Sequence, residues 1–477
     1  MQLFLSPDFN IKTLRQKPKS VCQKLHEKKR KLSRQSLTDL GKILGAYIPQ
    51  SLFEDEHSSN NNRRRIFSTE NTFWGFFLQI LNPQASCTSI VHLFRVRHYQ
   101  QQNKRMSASN SAYCQARKRL SFSFISKIFE HVTQKSNAIH PLVNRRVISA
   151  DGTGLTAADT PINQEKWPQQ KIQKPGCAFP QLRLCALFNL YSGVTLSYRL
   201  GNKKSHELNL LREQRESFKQ GDIFIGDKGF ICYFDQAQLM QMGVDSIVAL
   251  AKRKPVSSDK AIKKIAKDDY LICLNKPKNS TQIRKRYDAE QWKCLSETLT
   301  MRQIKVTVSN QGFRVKTYYI LTTLLDEIKY PAEVISALYW ERWQIELNFR
   351  DIKTTLGMDV LKSKTPEMVE KEILMYIVVF NVMRQIIYDV SDQYKPSQFS
   401  FKSSIQTLLS YCHEYGSKEG RSTHQFKKNL LSEIAYCLLY QREGRVEPRQ
   451  IKRRTKPFKW LTKPRREIID DLCLKCA

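Results

Sequence analysis

Residues 339–353, YWERWQIELNFRDIK, combine a helical sequence with a polar stripe that an apolar core would not accept. Arg342, Glu346 and Lys353 follow Tyr339 at offsets of 3, 7 and 14 residues. On a helix that turns about 100° per residue, all four side chains fall within an arc of about 60°. One carboxylate is therefore flanked by a phenol, a guanidinium and an ammonium group. Such a stripe suits a metal-bound phosphodiester, because the acid can bind the cation and the basic groups can bind phosphate oxygens.

The chain is too long for one compact core and carries a large excess of positive charge. Its 477 residues predict roughly two to four domains. The sequence has 79 Lys and Arg against 44 Asp and Glu, a formal net charge of +35. An excess of this size indicates a polyanionic partner, and nucleic acid fits best. The alternative is a basic surface that is merely solvated, or association with the ribosome.

The sequence gives no sign of export or membrane insertion. Its first residues lack the apolar segment of a signal peptide. The longest apolar run, Ile373 to Phe380, is too short to span a bilayer and predicts a buried helix. The 12 cysteines lack the spacing of a disulfide or zinc framework, so we expect reduced thiols. These features predict a cytoplasmic protein without a membrane partner.

The first 140 or so residues are basic and have helical patterns. Lys12–Lys31 contains nine Lys or Arg residues. Residues 107–120, SASNSAYCQARKRL, begin with small capping residues and predict a short helix that carries Arg117 and Lys118 as DNA-binding candidates. A helical DNA-binding domain, with a helix-turn-helix as one form of it, fits this region. A basic helical bundle without groove contacts fits it equally well.

After Pro141 the pattern changes to short apolar strands that end in acids. Arg146–Asp151 and Asp222–Asp227 each predict a strand with an aspartate at its carboxyl end. Asp245–Leu250 predicts a third strand. Residues 251–330 are lysine-rich and β-patterned, and we expect them to form a separate β-rich lobe beside the core. Helices resume after this region.

Asp151, Asp227 and Glu346 are the candidate catalytic and metal-binding residues. Acids at strand ends and an acid from a packed helix can meet at one edge of a sheet. Clustered carboxylates repel one another unless divalent cations neutralise them, and oxygen-only ligands favour Mg²⁺ or Mn²⁺. Two such ions about 3.5–4 Å apart would activate the attacking oxygen and stabilise the leaving oxygen in phosphodiester transfer.

Each of these acids also has an ordinary structural explanation. Asp151 and Asp227 precede glycine-containing turns, where aspartate is common. Glu346 can form a surface pair with Arg350 or Arg342, each four residues away. Three further acids compete for the same role but are less well placed along the sequence. They are Asp159, Asp222 and Glu207.

Taken together, the motifs resemble those of bacterial insertion-sequence transposases of the DDE class, most strongly from about residue 146 to 390. Asp151-Gly-Thr resembles the first-acid motif of that family, and Asp227-Lys-Gly-Phe resembles the second. The four residues of the polar stripe match the family signature Y-(2)-R-(3)-E-(6)-K with no departure in spacing. These residues are Tyr339, Arg342, Glu346 and Lys353.

The resemblance implies an α/β fold with an RNase H-like catalytic core, in which a mixed sheet is flanked by helices. A helical N-terminal DNA-binding domain would precede the core, and a β-rich insertion would interrupt it. The implied divisions are 1–140 for the N-terminal domain, 141–250 for the first part of the core, 251–330 for the insertion, 331–395 for the second part of the core with the glutamate helix, and 396–477 for a helical C-terminal region with a basic tail.

The resemblance also implies an activity and its partners. The protein would bind transposon ends and cleave and transfer DNA strands with the help of two Mg²⁺ or Mn²⁺ ions. It would act as a homodimer on double-stranded DNA, in the bacterial cytoplasm and associated with the nucleoid. Tyr339, Arg342 and Lys353 would contact DNA, and Trp292 in the insertion would stack on a flipped base. The basic segment Arg442–Arg466 would be a DNA-contacting arm or a disordered tail.

Two other functions stay open on the sequence alone. One is a different RNase H-like nuclease, such as a junction resolvase. The other is a DNA-binding relative without catalytic activity, although all three acids and the basic signature are intact. Metal-dependent strand joining would separate a transposase from another nuclease, and DNA binding without cleavage would mark the inactive relative.

Overall fold

The computed structural model describes most of the chain between residues 40 and 476. The described residues are 40–57, 66–134, 136–170, 174–250, 255–257, 260–278, 287–308, 316–394, 398–415, 423–439, 461 and 463–476. The basic segment Lys12–Lys31 and residues 442–460 of the basic tail lie outside the described residues.

The described residues form two compact units. The smaller unit takes in the described parts of Met1–Gln79, Gln84–Leu120 and Cys412–Thr423. The larger unit takes in those of Ile80–Pro83, Ser121–Tyr411 and His424–Ala477. The segment that follows Leu120 was included in the N-terminal domain on sequence grounds, whereas it packs with the larger unit.

The smaller unit is helical in its described residues. Its helices are α1 (Leu40–Ile43), α2 (Ser51–His57), α3 (Thr69–Leu81, which ends in the larger unit), α4 (Cys87–Gln102) and α5 (Ser111–Arg119). Aromatic rings fill its core: the ring centroid of Trp74 lies 5.9 Å from that of Phe53 and 5.2 Å from that of Phe73. Helix α4 begins at a capping box, in which Ser86 and Ser89 each accept the other's backbone N–H.

The larger unit is built on one mixed sheet of nine strands, in the order β3-β2-β1-β4-β5-β9-β8-β7-β6. The strands are β1 (Val147–Thr156), β2 (Gln181–Asn189), β3 (Thr195–Asn202), β4 (Ile223–Gly226), β5 (Asp245–Leu250), β6 (Ala261–Ala266), β7 (Asp269–Asn275), β8 (Thr298–Val308) and β9 (Lys316–Thr322). The first three strands are antiparallel neighbours, and β1, β4 and β5 run parallel. All four residues of β4 are buried, as expected for a strand in the middle of a sheet with both faces covered.

The expectation of a separate β-rich lobe at residues 251–330 was wrong. Strand β9 pairs with β5 in an antiparallel ladder from Ile247–Thr322 to Leu250–Tyr319, so the later strands extend the same sheet. The two regions also share a hydrophobic cluster, in which Ile148 and Met301 are both fully buried. The sequence shows the strands of this region but not the free edge of β5, which they join.

Helices cover the sheet and extend beyond it. Those of the larger unit are α6 (Phe122–Gln134), α7 (Pro161–Lys166), α8 (Glu207–Arg212), α9 (Tyr233–Gln241), α10 (Ala289–Lys293), α11 (Ala332–Glu341), α12 (Gln344–Arg350), α13 (Pro366–Tyr394), α14 (Phe401–Tyr415), α15 (Thr423–Ala435) and α16 (Arg465–Cys476), of which α14 and α15 each have one end in the smaller unit.

Helix α13 is the central helix of the larger unit. Ile373 to Phe380, the apolar run noted in the sequence, is buried within it as predicted. Asn381 joins the helix to the edge of the sheet, since its side chain bonds the backbone N–H and C=O of Thr195 at 2.9 and 2.8 Å. Within the described residues, α13 is long and apolar enough to cross a membrane, but 83% of its apolar window is buried inside the protein. Core packing explains this composition.

Candidate active site

Two parallel neighbours in the sheet bring the two candidate aspartates together. Strand β1 pairs with β4 in the register Val147–Ile223, Ile148–Phe224 and Ser149–Ile225. If this register is continued by two positions, Asp151 stands beside Asp227, which directly follows the last residue of β4. The prediction that Asp151 ends its own strand was wrong, because β1 continues to Thr156 in a ladder with β2. Parallel neighbours are about 4.8 Å apart, so their side chains at one register position are within reach of a shared ligand.

The chain leaves β4 through a close turn at Gly226. A Cβ at this position would lie 2.9 Å from Cβ of Phe230, so a larger residue would push the turn apart. Asp227 then caps a 3₁₀ turn, Lys228–Phe230, and its Oδ1 accepts the backbone N–H of Gly229 at 2.7 Å. The turn predicted from Asp-Lys-Gly is therefore present, and the same aspartate that caps it also lies beside Asp151.

Asp151 is held in a setting that disfavours its charge. Burial raises the pKa of its carboxyl to about 6, and the neighbouring carboxylates of Asp227 and Glu207 add to the rise. The backbone N–H of Gly152, which Asp151 Oδ1 accepts at 2.7 Å, and the Arg342 guanidinium lower the pKa in part. A cation between these carboxylates would relieve the repulsion.

The signature segment is not one regular helix, which corrects the single-helix geometry expected from the sequence. Helix α11 ends at Glu341 and α12 begins at Gln344. The join is wound tightly, because the N–H groups of Arg342 and Glu346 bond to carbonyls three residues back, at 3.2 and 3.1 Å. A π-helix, Asp351–Thr355, follows α12 and is wound more loosely. Such π-helical turns often occur at functional sites.

Arg342 links two of the other signature residues, Tyr339 and Glu346, and the fourth residue, Lys353, contacts β1. Arg342 lies over the ring of Tyr339, with its guanidinium carbon 5.7 Å from the ring centroid. Its Nη2 is 3.9 Å from Oε1 of Glu346, and it acts electrostatically on Asp151. Lys353 reaches β1 itself: its ammonium donates to Gly154 O at 3.0 Å. The Glu346 side chain is 45% exposed, so it can turn toward a ligand.

Lys353 is held from two directions. Its ammonium also lies 3.0 Å from Asp359 Oδ1, and it donates to Thr153 Oγ1 at 3.3 Å. The π-helix that carries it is fixed by Asp351, whose Oδ2 accepts from Arg384 of α13 at 2.7 Å. Burial raises the pKa of Asp351, and the Arg384 guanidinium opposes that rise. The π-helix is thereby tied to the core helix.

A complete metal cluster is not preformed. Within the described parts of the chain, no three His, Cys, Asp or Glu side chains are placed to hold a metal ion together. Asp151 and Asp227 are neighbours, while the Glu346 carboxylate faces Arg342. The donor set nevertheless fits Mg²⁺ or Mn²⁺, because it consists of carboxylate oxygens beside a strongly desolvated acid.

The residues proposed to bind DNA from sequence have different surroundings. In the smaller unit, Arg117 packs its guanidinium carbon 3.8 Å from the centroid of the Phe76 ring and donates to Gln79 Oε1 at 3.4 Å. Lys118, one residue later, is exposed, as is Arg119. An inward-facing Arg117 is poorly placed to reach a base edge, so Lys118 and Arg119 are the better candidates on this helix.

The base-stacking role expected for Trp292 does not fit its surroundings. Trp292 is 7% exposed and belongs to the core cluster. Its ring is stacked with Tyr287 and Phe234, at centroid distances of 5.5 and 6.3 Å, and the Lys276 ammonium lies 5.7 Å from its centroid. A flipped base could stack on this ring only after its neighbours had moved. Trp292 acts here as a packing residue.

Glu207, which sequence reasoning ranked below the other acids, lies on the opposite face of β1 from the Asp151 side chain. It is the first residue of α8, and its carboxyl occupies the volume that a side chain at position 152 would fill. Its Oε1 lies 3.4 Å from Nη1 of Arg183 on β2. The only sequence signal was the absence of a side chain at Gly152, next to the first aspartate, which a single sequence does not link to Glu207.

Comparison with known proteins identifies the family. The Transposase DDE domain family matches residues 144–382, half of the chain. The chain belongs to this family of DDE transposases. It is 26% identical over 442 residues to the transposase InsG of insertion sequence element IS4 from Escherichia coli K12, covering 91% of this chain and 95% of InsG.

Other relatives match shorter parts of this DDE transposase. The transposase of IS231D from Bacillus thuringiensis subsp. finitimus is 24% identical over 212 residues, or 38% of this chain and 44% of the relative. The transposase of IS421 from Escherichia coli is 36% identical over 70 residues, or 15% and 19%. The protein is thus a DNA transposase of the insertion-sequence type, as the signature indicated, and not a junction resolvase. Enzymes of this family generally use a divalent metal ion.

Proposed function

We propose that Asp151, Asp227 and Glu346 are the catalytic carboxylates of this transposase and cut and join DNA at transposon ends. The observation that carries the proposal is the parallel β1–β4 register, which brings Asp151 next to Asp227. Glu346 approaches from the signature segment through Arg342, which lies near both Glu346 and Asp151.

The first five strands support an RNase H-like core. Their order is β3-β2-β1-β4-β5, with an antiparallel meander from β1 to β3 and parallel pairing of β1, β4 and β5. In this proposal the remaining strands, β6 to β9, are the insertion, which extends the core sheet at β5. The helical smaller unit, including α5, would belong to the N-terminal DNA-binding domain. The proposed divisions otherwise keep the boundaries 141–250, 251–330, 331–395 and 396–477.

The three carboxylates would hold Mg²⁺ or Mn²⁺, with two ions as the expected number. When bound, such ions lower the pKa of an attacking hydroxyl group and stabilise the departing oxygen of the scissile phosphodiester. Asp151 is suited to the cation because its carboxyl is buried beside another acid. Glu346 would have to leave Arg342, which would free the guanidinium for a DNA phosphate.

Tyr339, Arg342 and Lys353 would position the DNA. The Nε of Arg342 is buried and has no hydrogen-bond partner among the described residues, so it retains a donor for a phosphate oxygen. Lys353 donates to the backbone of β1 at Gly154, three residues after Asp151. From this position it would contact the DNA strand that is cut. The partners would be transposon ends and target DNA, bound by a homodimer in the bacterial cytoplasm.

Isosteric variants test the catalytic assignment. Asp151→Asn, Asp227→Asn and Glu346→Gln should each lower Mg²⁺-dependent cleavage of transposon-end DNA by at least about 10³-fold, because each removes a negative ligand worth several kcal/mol in the transition state. Binding of the same DNA in a gel shift should stay within a few-fold of wild type.

The control is Glu297→Gln, since this side chain in the same unit is 83% exposed. It should cleave like the wild type. Cleavage at the wild-type rate by any of the three variants would remove that residue from the site.

A further inference from the structure

We propose that the Asp359 carboxylate takes the place of a DNA phosphate on Lys353, and that DNA has to displace it in order to bind. The inference rests on the proposed function, because it concerns the lysine that would contact the cut strand. It names an acid outside the catalytic carboxylates and the signature, and it assigns to that acid a weakening of DNA binding.

The Lys353 ammonium lies on the face of β1 that carries Asp151. Thr153 follows Asp151 by two residues in a regular ladder with β2, so the two side chains point to the same face of the sheet. Lys353 donates to Thr153 Oγ1 at 3.3 Å and to Gly154 O at 3.0 Å. Two residues of a strand span about 6.6 Å. The lysine is therefore near enough to Asp151 to bind a phosphate of a DNA strand that is cut there.

The ammonium has three N–H groups and three close acceptors. Two of the acceptors belong to β1, and the third is Oδ1 of Asp359, which lies 3.0 Å from Nζ. Asp359 is the accessible member of this ion pair, since its side chain is 65% exposed against 24% for Lys353. A phosphate that binds the ammonium must replace one acceptor. The carboxylate is the acceptor that a phosphate replaces most closely, because both are anionic oxygens that water can reach.

Asp359 is held beside the lysine by its own backbone. Its N–H donates to Lys353 O at 3.3 Å, and its C=O accepts the N–H of Thr156 in β1 at 3.4 Å. Gly357, with a φ of 87°, lies in the turn that brings the chain back to the π-helix. The carboxylate therefore stays close to any phosphate that has displaced it, and two anions at short distance repel each other.

The competing explanation is that Asp359 orients Lys353 for DNA. A partly exposed ion pair contributes little to holding a side chain in place. The two acceptors on β1 already fix the ammonium. The two explanations predict opposite signs: removing the carboxylate strengthens DNA binding if it competes with a phosphate, and weakens DNA binding if it orients the lysine.

The test measures the affinity of the full-length protein for transposon-end DNA by fluorescence anisotropy, at about 0.1 M salt with EDTA. Asp359→Asn should bind this DNA about three- to fivefold more tightly than the wild type, the size expected for one interaction between partly exposed charges. Asp359→Ala should bind at least as tightly, since its side chain offers the ammonium no acceptor. Thermal unfolding verifies that both variants fold like the wild type. Weaker DNA binding by both variants would show that Asp359 orients the lysine and would overturn the inference.

Asp268→Asn is the matched control. Asp268 lies between β6 and β7 and forms an ion pair with Lys305 at 3.3 Å, so this variant changes the net charge by the same amount. Strand β7 is the fifth strand from β1 in the sheet, about 24 Å away, which exceeds the Debye length of about 10 Å at this salt concentration. Asp268→Asn should bind DNA like the wild type. An equal gain in this variant would mean that net charge, and not the position of Asp359, sets the affinity.

Lys353→Gln separates the inference from the proposed function. If Lys353 binds a phosphate, this variant should bind DNA more weakly, and the gain from Asp359→Asn should shrink in its background, because no ammonium remains to compete for. If Lys353→Gln binds DNA like the wild type, the proposed DNA contact fails and the inference fails with it. If Lys353→Gln weakens binding but Asp359→Asn brings no gain, or brings the same gain in both backgrounds, only the inference fails.

Discussion

The parallel strands β1 and β4 carry one charged pair at the amino end of β4 and another at its carboxyl end, and the two pairs are built in opposite ways. At the amino ends, Arg146 donates to both oxygens of Asp222, at 2.8 and 2.5 Å, and only 9% and 4% of these side chains are exposed. At the carboxyl end of β4, Asp151 of β1 stands beside Asp227, so like charges meet. The sheet thus places a satisfied ion pair and an unsatisfied pair of acids about five residues apart along each strand.

The difference shows which charges serve the fold and which serve a ligand. Asp222 also accepts the N–H of Lys219 at 2.7 Å, and Arg146 donates to Ser217 O at 3.0 Å, so the amino-end pair is fully engaged by the protein. Asp151 and Asp227 each accept a backbone N–H from a glycine close by in the chain, Gly152 in β1 and Gly229 in the turn after β4. Repulsion that the fold leaves uncompensated is consistent with a site completed by a cation.

The largest effect is expected from breaking the amino-end pair. Asp222→Asn should lower the free energy of unfolding by about 3–5 kcal/mol, because it leaves the Arg146 guanidinium buried without its counter-charge. The double variant Arg146→Met with Asp222→Leu should lose less than the single variant, since two apolar groups need no partner. Urea unfolding of the apo protein gives both values. A single variant as stable as the wild type would mean that the pair does not hold these strands together.

At the carboxyl end of β4, removing a charge is expected to raise the free energy of unfolding. Folding raises the pKa of Asp151 from 3.8 to about 6, so the folded state holds the proton more tightly than the unfolded state. The stability contribution of Asp151 therefore falls as pH rises from about 4 to 6 and stays low above that. A rise of about two pKa units corresponds to roughly 3 kcal/mol. Asp151→Asn should then be more stable than the wild type at pH 7.5 without metal, by up to about this amount.

The same pair of proteins provides the control for that prediction. Below about pH 4 the Asp151 carboxyl is protonated in both states, so the stability difference between wild type and Asp151→Asn should vanish. Unfolding by urea across pH 3.5–8 measures the difference. A constant difference at all pH values would show that it comes from packing and not from charge.

Added cation should reverse the order of the two stabilities. A ligand that binds only the folded state at 100 times its Kd stabilises by about 2.7 kcal/mol. Mg²⁺ at pH 7.5 should therefore stabilise the wild type by an amount of this order and leave Asp151→Asn unchanged. Thermal unfolding with Mg²⁺, with EDTA as control, measures both. Equal stabilisation of the two proteins would place the bound cation elsewhere.

Much of this contrast could be predicted from sequence. The parts that could not be predicted have physical causes. The strands before Asp151 and Asp227 were visible from apolar runs that stop at an acid, and their parallel pairing brings the two acids together. That β1 continues past Asp151 to Thr156 was not visible, because its later residues include two glycines and few apolar side chains. The joining of β9 to β5 was not visible, because strand pairing depends on which edge is free in three dimensions. The packing of Glu207 against Gly152 was not visible for the same reason, since it links positions 55 residues apart along the chain.

The signature segment shows a second limit. Even spacing predicted one helix, whereas the backbone has a tight join at Arg342 and a π-helix at Asp351–Thr355. The spacing of residues in a sequence does not reveal such local changes in helical winding. The packing of Arg117 on Phe76 was not visible either, because a helical pattern does not reveal which neighbour a long side chain will contact.

The smallest effects on stability and DNA binding are expected on α5. This helix again combines a charge that packs against the protein, on Arg117, with exposed charges, on Lys118 and Arg119. Arg117→Gln removes a guanidinium that packs on Phe76, so it should cost about 1 kcal/mol of stability and leave the salt dependence of DNA binding unchanged. Lys118→Gln with Arg119→Gln removes two exposed charges. For every phosphate that is no longer neutralised, the slope of log affinity against log salt should become shallower by about 0.9. Titrating transposon-end and scrambled DNA over a salt series, beside urea unfolding, separates the two effects. A reduced slope for Arg117→Gln, with unchanged stability, would mean that this guanidinium leaves Phe76 to bind DNA.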